Sequence, residues 1–292
     1  MLNPFRLANP TTVGEAVSEL ERLGGAAKIY AGGAELLILL RRSLIQTDTL
    51  IDIKRIPGLN EVTWDGRVLR IGATVTHHRL ETDAQVREQL PMFADAESQV
   101  ANIRVRNQGT LGGNLCFNDP HSDPGTALLV YDTKITLSGH SGERQVALSD
   151  FLVGMYETAL SPEELLTHVE VSPLPSQWGS AYLRVHRSQR PTLGVAAAAS
   201  LSDGRLDGIR LAVGCVGPRP ERLTELEEKV RGLTLAEAQR VIEGAKPYLA
   251  ALLQPVDDLL GSSEYKVYVT AVLLAKALRM AARGNGGERN DS

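Results

Sequence analysis

Residues 27–44 read AKIYAGGAELLILLRRSL, and the order of these residues decides the fold around them. A short β-prone run, AKIYA, meets Gly32-Gly33 and passes into an apolar run with a helical pattern that ends at Arg41-Arg42. A second β-prone run, TLIDIKRI, follows at 49–56. Upstream, Asn9-Pro10-Thr11-Thr12 leads into VGEAVSELERL, where Val13, Ala16, Val17, Leu20 and Leu23 recur at helical spacing. Thr11 or Thr12 serves as its N-cap, and Gly24-Gly25 stops it. Strand, glycine turn, helix and strand make a small α/β unit over residues 1–56.

A glycine turn entering a helix can aim several backbone N–H groups at one point, because glycine adopts angles other residues avoid and lets a ligand come close. The orphan N–H groups at the helix start add partial positive charge, which suits phosphate. A second Gly-Gly occurs in NQGTLGGNL, residues 107–115. Neither pair fits G-x-G-x-x-G or G-x-x-x-x-G-K-[ST], which excludes a Rossmann dinucleotide site and a P-loop. Two such turns on neighbouring lobes can grip the two halves of one pyrophosphate through backbone donors, with no lysine or metal ligand required.

Pro57-Gly58 marks a boundary. NEVTWDGRVLRIGATV then reads as a hairpin turning at Asp65-Gly66, HHRLETDAQVREQLPMFADAESQV as helical, and TKITLSGHSGERQVAL as another hairpin. ELLTHVEVSPLP closes this α+β region at 175. From 176 the text changes to three antiparallel strands with Asp-Gly turns. Two helices follow, at 233–253 and 262–283, and a disordered tail covers 284–292.

The 292 residues carry a net charge of −4, so no general attraction to nucleic acid or an anionic membrane is expected. No apolar run nears the roughly 20 residues a membrane span needs, and MLNPFRLANP is not a secretory signal. The expected location is cytoplasmic. Cys116 and Cys215 make neither a zinc site nor an iron–sulfur run, so this chain holds no cluster of its own. His77-His78 has no partner set for a metal and reads as a helix start beside a ligand pocket. His121, Asp119 and Asp123 lie among turn prolines. No G-x-S-x-G elbow supports a hydrolase.

IRVRNQGTLGGNLCFNDPHSDPGTALL (103–129), read with KIYAGGAELLILLR (28–41) and IGATVTHHRLE (71–81), resembles the FAD-binding medium subunit of the molybdenum hydroxylases. That family includes carbon monoxide dehydrogenase and xanthine dehydrogenase. The resemblance extends through VSPLP (171–175) and YLRVHRS (182–188). It implies an α+β chain: a two-lobed FAD-binding region of the PCMH/VAO-like type, 1–56 and 57–175, then a C-terminal α+β domain, 176–283, with a three-stranded antiparallel sheet. It implies an oxidoreductase flavoprotein subunit that takes electrons from a [2Fe-2S] subunit and passes them to an external acceptor. A large molybdenum-pterin subunit would carry the substrate site, in a dimer of heterotrimers.

Carried over residue by residue, the resemblance matches Lys28, Ile29, Tyr30, Ala31, Gly32, Gly33, Ala34 and Glu35 to the first phosphate segment. Gly109, Thr110, Gly112, Gly113, Asn114 and Cys116 match the second, with Thr74 and His77 beside them. Asp123 matches the acid on the adenosine side, Leu165 or Leu166 the apolar residue near the flavin, and Arg184 a basic residue early in the last domain. Ala34 stands where relatives carry a hydroxyl or polar group. SQRPTLG (188–194) also departs from the family pattern, so Thr192 and Leu193 are not assigned to the ring. A free-standing flavin oxidoreductase and an assembly subunit that has lost FAD are the alternatives.

Overall fold

The computed structural model describes residues 4–185 and 190–284. Residues 285–292 of the expected tail, and residues 186–188 of the YLRVHRS match, lie outside the described residues. The chain divides into two compact units. One comprises the residues up to Asp119 together with Asp132–Ser172; the other comprises Pro120–Tyr131 and the residues from Pro173 onward.

The first unit contains two main sheets. Strands β1 (Arg6–Ala8), β2 (Ala27–Tyr30) and β3 (Thr49–Asp52) form a parallel sheet of order β1-β3-β2. Helix α1 (Val13–Leu23) carries the chain from β1 to β2 on the opposite edge, and α2 (Leu36–Arg41) is the crossover that the parallel neighbours β2 and β3 need. Thr12 caps α1, its side chain accepting from Glu15 N–H, and Gly24 ends it at φ 54°. Ala16, Val17 and Leu20 of α1 pack with Ile51, Ile53 and Leu59 in one apolar cluster. Each such buried aliphatic side chain contributes about 1.5–3 kcal/mol relative to exposure.

The second sheet is antiparallel, of order β4-β5-β10-β6-β7, from Val62–Trp64, Leu69–Gly72, Leu165–Ser172, Asp132–Gly139 and Gly142–Ala147 respectively. The β4–β5 turn is the one expected: Asp65 Oδ1 accepts from Arg67 and Val68 N–H, and Gly66 takes φ 93°. A small pair, β8 (Leu152–Gly154) with β9 (Glu157–Thr158), completes the strands of this unit.

The helical stretch after β5 is three short helices: α3 (His77–Thr82), α4 (Ala84–Gln89) and α5 (Pro91–Ser98). Asp83 breaks the run by capping α4 with its carboxylate, and Pro91 opens α5. Helices α6 (Ile103–Gln108) and α7 (Leu111–Phe117) follow. Gly112-Gly113 therefore lies inside the first turn of a helix and is not the turn read from the sequence. Thr110 caps α7, accepting from Gly113 N–H, and a Cβ on Gly112 would lie 2.7 Å from both Cβ and O of Ala73. That glycine is fixed by backbone packing; neither residue of the pair has a left-handed φ.

In the second unit, β11 (Gly179–Val185), β12 (Leu193–Ser202), β13 (Arg205–Gly214) and β14 (Glu221–Arg222) form a four-stranded antiparallel sheet, one strand more than expected. The extra strand is two residues long, too short to show an alternating pattern. Helix α8 (Asp123–Leu128) belongs here, although the sequence reading keeps residues 120–131 in the middle domain. A one-turn helix α9 (Leu148–Phe151) sits in the first unit. Two helices, α11 (Leu235–Gly244) and α12 (Lys246–Leu253), replace the single helix expected at 233–253, and a further helix, α10 (Thr224–Val230), precedes them. α12 restarts after Ala245 with Pro247 in its first turn, where proline's missing N–H costs nothing. The long α13 (Ser263–Ala282) lays Ala271, Leu274, Ala275 and Leu278 on Val195, Ala197 and Ala199 of β12. No helix among the described residues is long and apolar enough to cross a membrane.

Candidate functional site

The loop from β2 to α2 (Leu36–Arg41) leaves several donors open. Ile29 and Ala31 pack against the apolar cluster, while Lys28 is exposed on the sheet. Gly33 turns the chain at φ 77°, a left-handed conformation costly for a residue with a Cβ. Its carbonyl accepts from Leu37 N–H, and that of Glu35 from Leu39 N–H. Glu35 occupies the N-cap position but makes no side-chain cap bond. The N–H groups of Gly32, Gly33, Ala34 and Glu35 donate to no acceptor among the described residues. Open amides at the start of a helix attract negative charge. Ala34 has no side-chain donor, so the backbone alone supplies this edge.

The second segment lies against the first. A Cβ on Gly32 would stand 2.0 Å from the Gln108 carbonyl oxygen and 3.1 Å from Gly109 Cα. Gly32 is therefore required by the approach of the two main chains, a reason independent of any ligand. The second segment differs in its donors. Gly109 N–H bonds to Val105 O, Leu111 to Val75 O, Gly112 to Ala73 O, Gly113 to Thr110 Oγ1 and Asn114 to Thr110 O. The Thr110 amide alone in this segment donates to no described acceptor. The symmetrical pair of amide cradles expected from the sequence is thus unequal: four open amides on one side and one on the other. Gly113 is exposed, while Gly112 is buried.

His77 and Thr74 support this wall. His77 N–H donates to Gly109 O at 3.1 Å, and its ring lies beside Gly109. The buried His77 ring places Nδ1 2.6 Å from Oε2 of Glu97, a fully buried carboxylate twenty residues away on α5. That pairing has no sequence signature. The Thr74 hydroxyl and amide both donate to Leu59 O, so Thr74 anchors the loop before β4. Cys116 is half-buried as a residue, but its sulfur is enclosed, and burial pushes the thiol up to about 12. It stays protonated near neutrality and offers no thiolate. Leu165 lies in the apolar cluster beside α1, and Leu166, fully buried, precedes an irregularity in the β10–β6 register.

Asp123 and Arg184 form a separate cluster within the second unit. Asp123 Oδ1 accepts from Tyr182 OH at 2.6 Å, and Oδ2 accepts from Arg184 at 3.0 Å, with both charged side chains buried. Burial and the adjacent Asp123 charge raise the Tyr182 phenol well above its ordinary value, so it acts as a donor. Thr192 and Leu193 are fully buried. Among the described residues no set of three or more His, Cys, Asp or Glu side chains is arranged to hold a metal ion. In the surface hollow between β1 and α1, Arg6 and Arg22 are both paired to Glu19, and the Thr12 hydroxyl accepts from Glu15 N–H.

Comparisons with known proteins agree over the length of the chain. The family model described as the FAD binding domain in molybdopterin dehydrogenase matches residues 3–175, and the CO dehydrogenase flavoprotein C-terminal domain matches 181–281. The chain is 30% identical to the carbon monoxide dehydrogenase medium chain of Hydrogenophaga pseudoflava, covering 95% of this chain and 96% of that one. It is 28% identical to the xanthine dehydrogenase FAD-binding subunit of Escherichia coli O157:H7, covering 90% and 91%. Among solved structures, carbon monoxide dehydrogenase from Hydrogenophaga pseudoflava, in a form lacking the Mo-pyranopterin moiety of its cofactor, superposes with a TM-score of 0.91 at 31% identity. That match covers 96% of this chain and 98% of that one. Quinoline 2-oxidoreductase from Pseudomonas putida 86 gives 0.89 at 27% identity, over 97% and 98%.

Proposed function

We propose, for a chain that belongs to the FAD-binding flavoprotein subunits of the molybdopterin dehydrogenases, that Gly32–Glu35 and Thr110 grip the diphosphate of its FAD. The chain is the flavoprotein subunit of a molybdenum hydroxylase, an oxidoreductase. The observation that supports the grip is the set of open amides at Gly32, Gly33, Ala34, Glu35 and Thr110, on two segments whose backbones touch at Gly32 and Gln108. A diphosphate has the acceptors this set lacks, and a glycine backbone lets it approach without a Cβ in the way.

When bound, FAD supplies the exchange between two-electron and one-electron chemistry that links an iron–sulfur subunit to an external acceptor. The chain's own residues hold and orient it. Gly33 sets the left-handed turn that aims the amides. Glu35 contributes its N–H rather than its carboxylate, which would repel phosphate. His77, held by Glu97, fixes the Gly109 carbonyl, so that the Thr110 N–H on the other side of that peptide faces outward. On the adenosine side, Asp123 acts while paired to Arg184, so its position is set by that pair. Leu165 and Leu166 shape the apolar wall on the flavin side. The fuller assembly is a dimer of heterotrimers in the cytoplasm, with molybdenum-pterin and [2Fe-2S] groups on the other two subunits. Carbon monoxide, an aldehyde or an N-heterocycle would meet the large subunit, not this chain.

The absorption spectrum of the purified chain tests the reading. Flavin bands that stay with the chain through gel filtration after addition of FAD, joined by iron–sulfur absorbance only when the partners co-purify, are expected. A chain that is colourless once unbound FAD has been removed refutes it and favours an assembly subunit. Steady oxidation of a small substrate by the isolated chain would instead favour a free-standing oxidoreductase.

A further inference from the structure

Lys54 has no place in the expectations drawn from the sequence, in which Lys28 is the lysine matched to the first phosphate segment. Its ammonium lies 3.6 Å from the centroid of the Tyr30 ring, 2.8 Å from Asp52 Oδ1, and donates to the Ala31 carbonyl at 3.3 Å. Its backbone N–H also bonds to Asp52 Oδ1, at 3.0 Å, so the side chain starts from a fixed base. The Tyr30 ring edge occupies the volume a Cβ on Gly33 would need, 2.3 Å away. One side chain thus touches, directly or through Tyr30, the residues immediately before the open amides.

The peptide between Ala31 and Gly32 is planar and trans, with no cis bond in the described chain. Drawing the Ala31 oxygen toward Lys54 therefore turns the Gly32 N–H the opposite way, and a cation on the carbonyl polarises that N–H as a donor. The second segment repeats the arrangement in neutral form: His77 N–H holds the Gly109 carbonyl, and the Thr110 amide on the same peptide is open.

We propose that Lys54 is a positioning residue that sets the direction and donor strength of the Gly32 N–H toward the FAD diphosphate, with Asp52 as the counter-charge that moderates it. This inference rests on the reading of the glycine segments as the diphosphate site. It assigns opposite effects to two neighbouring residues. Lys54→Met keeps the apolar stem and loses the cation; Lys54→Arg keeps the cation; Asp52→Asn keeps the acceptor for the Lys54 N–H and removes the charge that opposes Lys54.

The test is titration of the full-length unliganded chain with FAD, and separately with ADP as a probe of the diphosphate, alongside melting of each unliganded variant. Lys54→Met raises the Kd for both ligands by about three- to tenfold. Its unliganded melting point stays within about 2 °C of the parent, because the lysine side chain is 42% exposed. Lys54→Arg restores affinity, and Asp52→Asn lowers the Kd. Unchanged affinity in Lys54→Met overturns the inference while leaving the FAD reading intact. So does a loss in Asp52→Asn equal to that in Lys54→Met, which would mark a mere structural clamp. A parent chain with no measurable affinity for FAD overturns both.

Discussion

Gly32→Ala separates close approach of two backbones from every other role of that glycine. The added Cβ would lie 2.0 Å from the Gln108 carbonyl oxygen and 2.9 Å from its carbon, atoms of a main chain that cannot swing aside. Carbon and oxygen in ordinary contact sit about 3.3 Å apart, so the two segments must part by roughly 1.3 Å. The φ of Gly32 is not left-handed, so alanine meets no backbone strain of its own. Overpacking of this kind costs about 1–3 kcal/mol of fold stability. The larger effect falls on the ligand: amides displaced by an ångström lose most of a hydrogen bond to a charged group, worth about 1.5–3 kcal/mol each. A net loss near 2.7 kcal/mol is roughly a hundredfold in Kd. Flavin-fluorescence titration of the purified chain reads this directly, with thermal melting to confirm that the variant folds. Gly14→Ala is the control. Gly14 lies on α1 with nothing within 4 Å of its would-be Cβ. That change should add about 0.5–1 kcal/mol of stability and leave FAD binding alone. A folded Gly32→Ala chain whose Kd stays within about twofold of the parent refutes the contact argument.

Leu274→Ala, in the fully buried face of α13 on β12, should cost about 2–5 kcal/mol in chemical denaturation without changing flavin affinity per folded molecule. Asp123→Asn removes the carboxylate charge bonded to the buried Arg184 guanidinium and should cost about 3–5 kcal/mol, whereas Tyr182→Phe removes only a hydroxyl and should cost less; equal losses would contradict the ion-pair account. The Arg144 guanidinium beside Glu164 holds that carboxyl at about 2, from an ordinary 4.5. A depressed carboxyl stabilises the fold above its unfolded value and loses that contribution as the pH falls from about 4.5 toward 2. With Arg144 nearly half exposed, screening leaves about 1 kcal/mol. Urea melts of Glu164→Gln against the parent should therefore differ at pH 7 and converge toward pH 2; a constant difference would refute it.

The sequence made the layout of the first unit legible because its signals are local. Thr12 and Gly24 bound α1, Asp65-Gly66 turns the β4–β5 hairpin, and Gly32-Gly33 precedes a helix, each within a few residues. The second Gly-Gly misled because a glycine that packs against Ala73 looks, in one dimension, like a glycine that turns. β1, three residues beside Pro4 and Pro10, and β14, two residues long, are too short to carry a period. The Glu97 support of His77 and the Asp123–Arg184 pair depend on residues twenty and sixty-one positions apart, a distance at which no pattern survives. Lys54 was visible as a residue but not as a participant. Its role depends on the parallel register that places Asp52 level with Tyr30.

The excursion of residues 120–131 carries an evolutionary consequence. The family boundary falls near 175, yet the carboxylate that neutralises Arg184 is encoded more than fifty residues before it. A recombination event that exchanged only the gene segment beyond 175 would set residue 184 of one parent against residue 123 of the other. Swaps of the C-terminal cassette should therefore cost least stability between parents that match at position 123, or when that short upstream insert travels along.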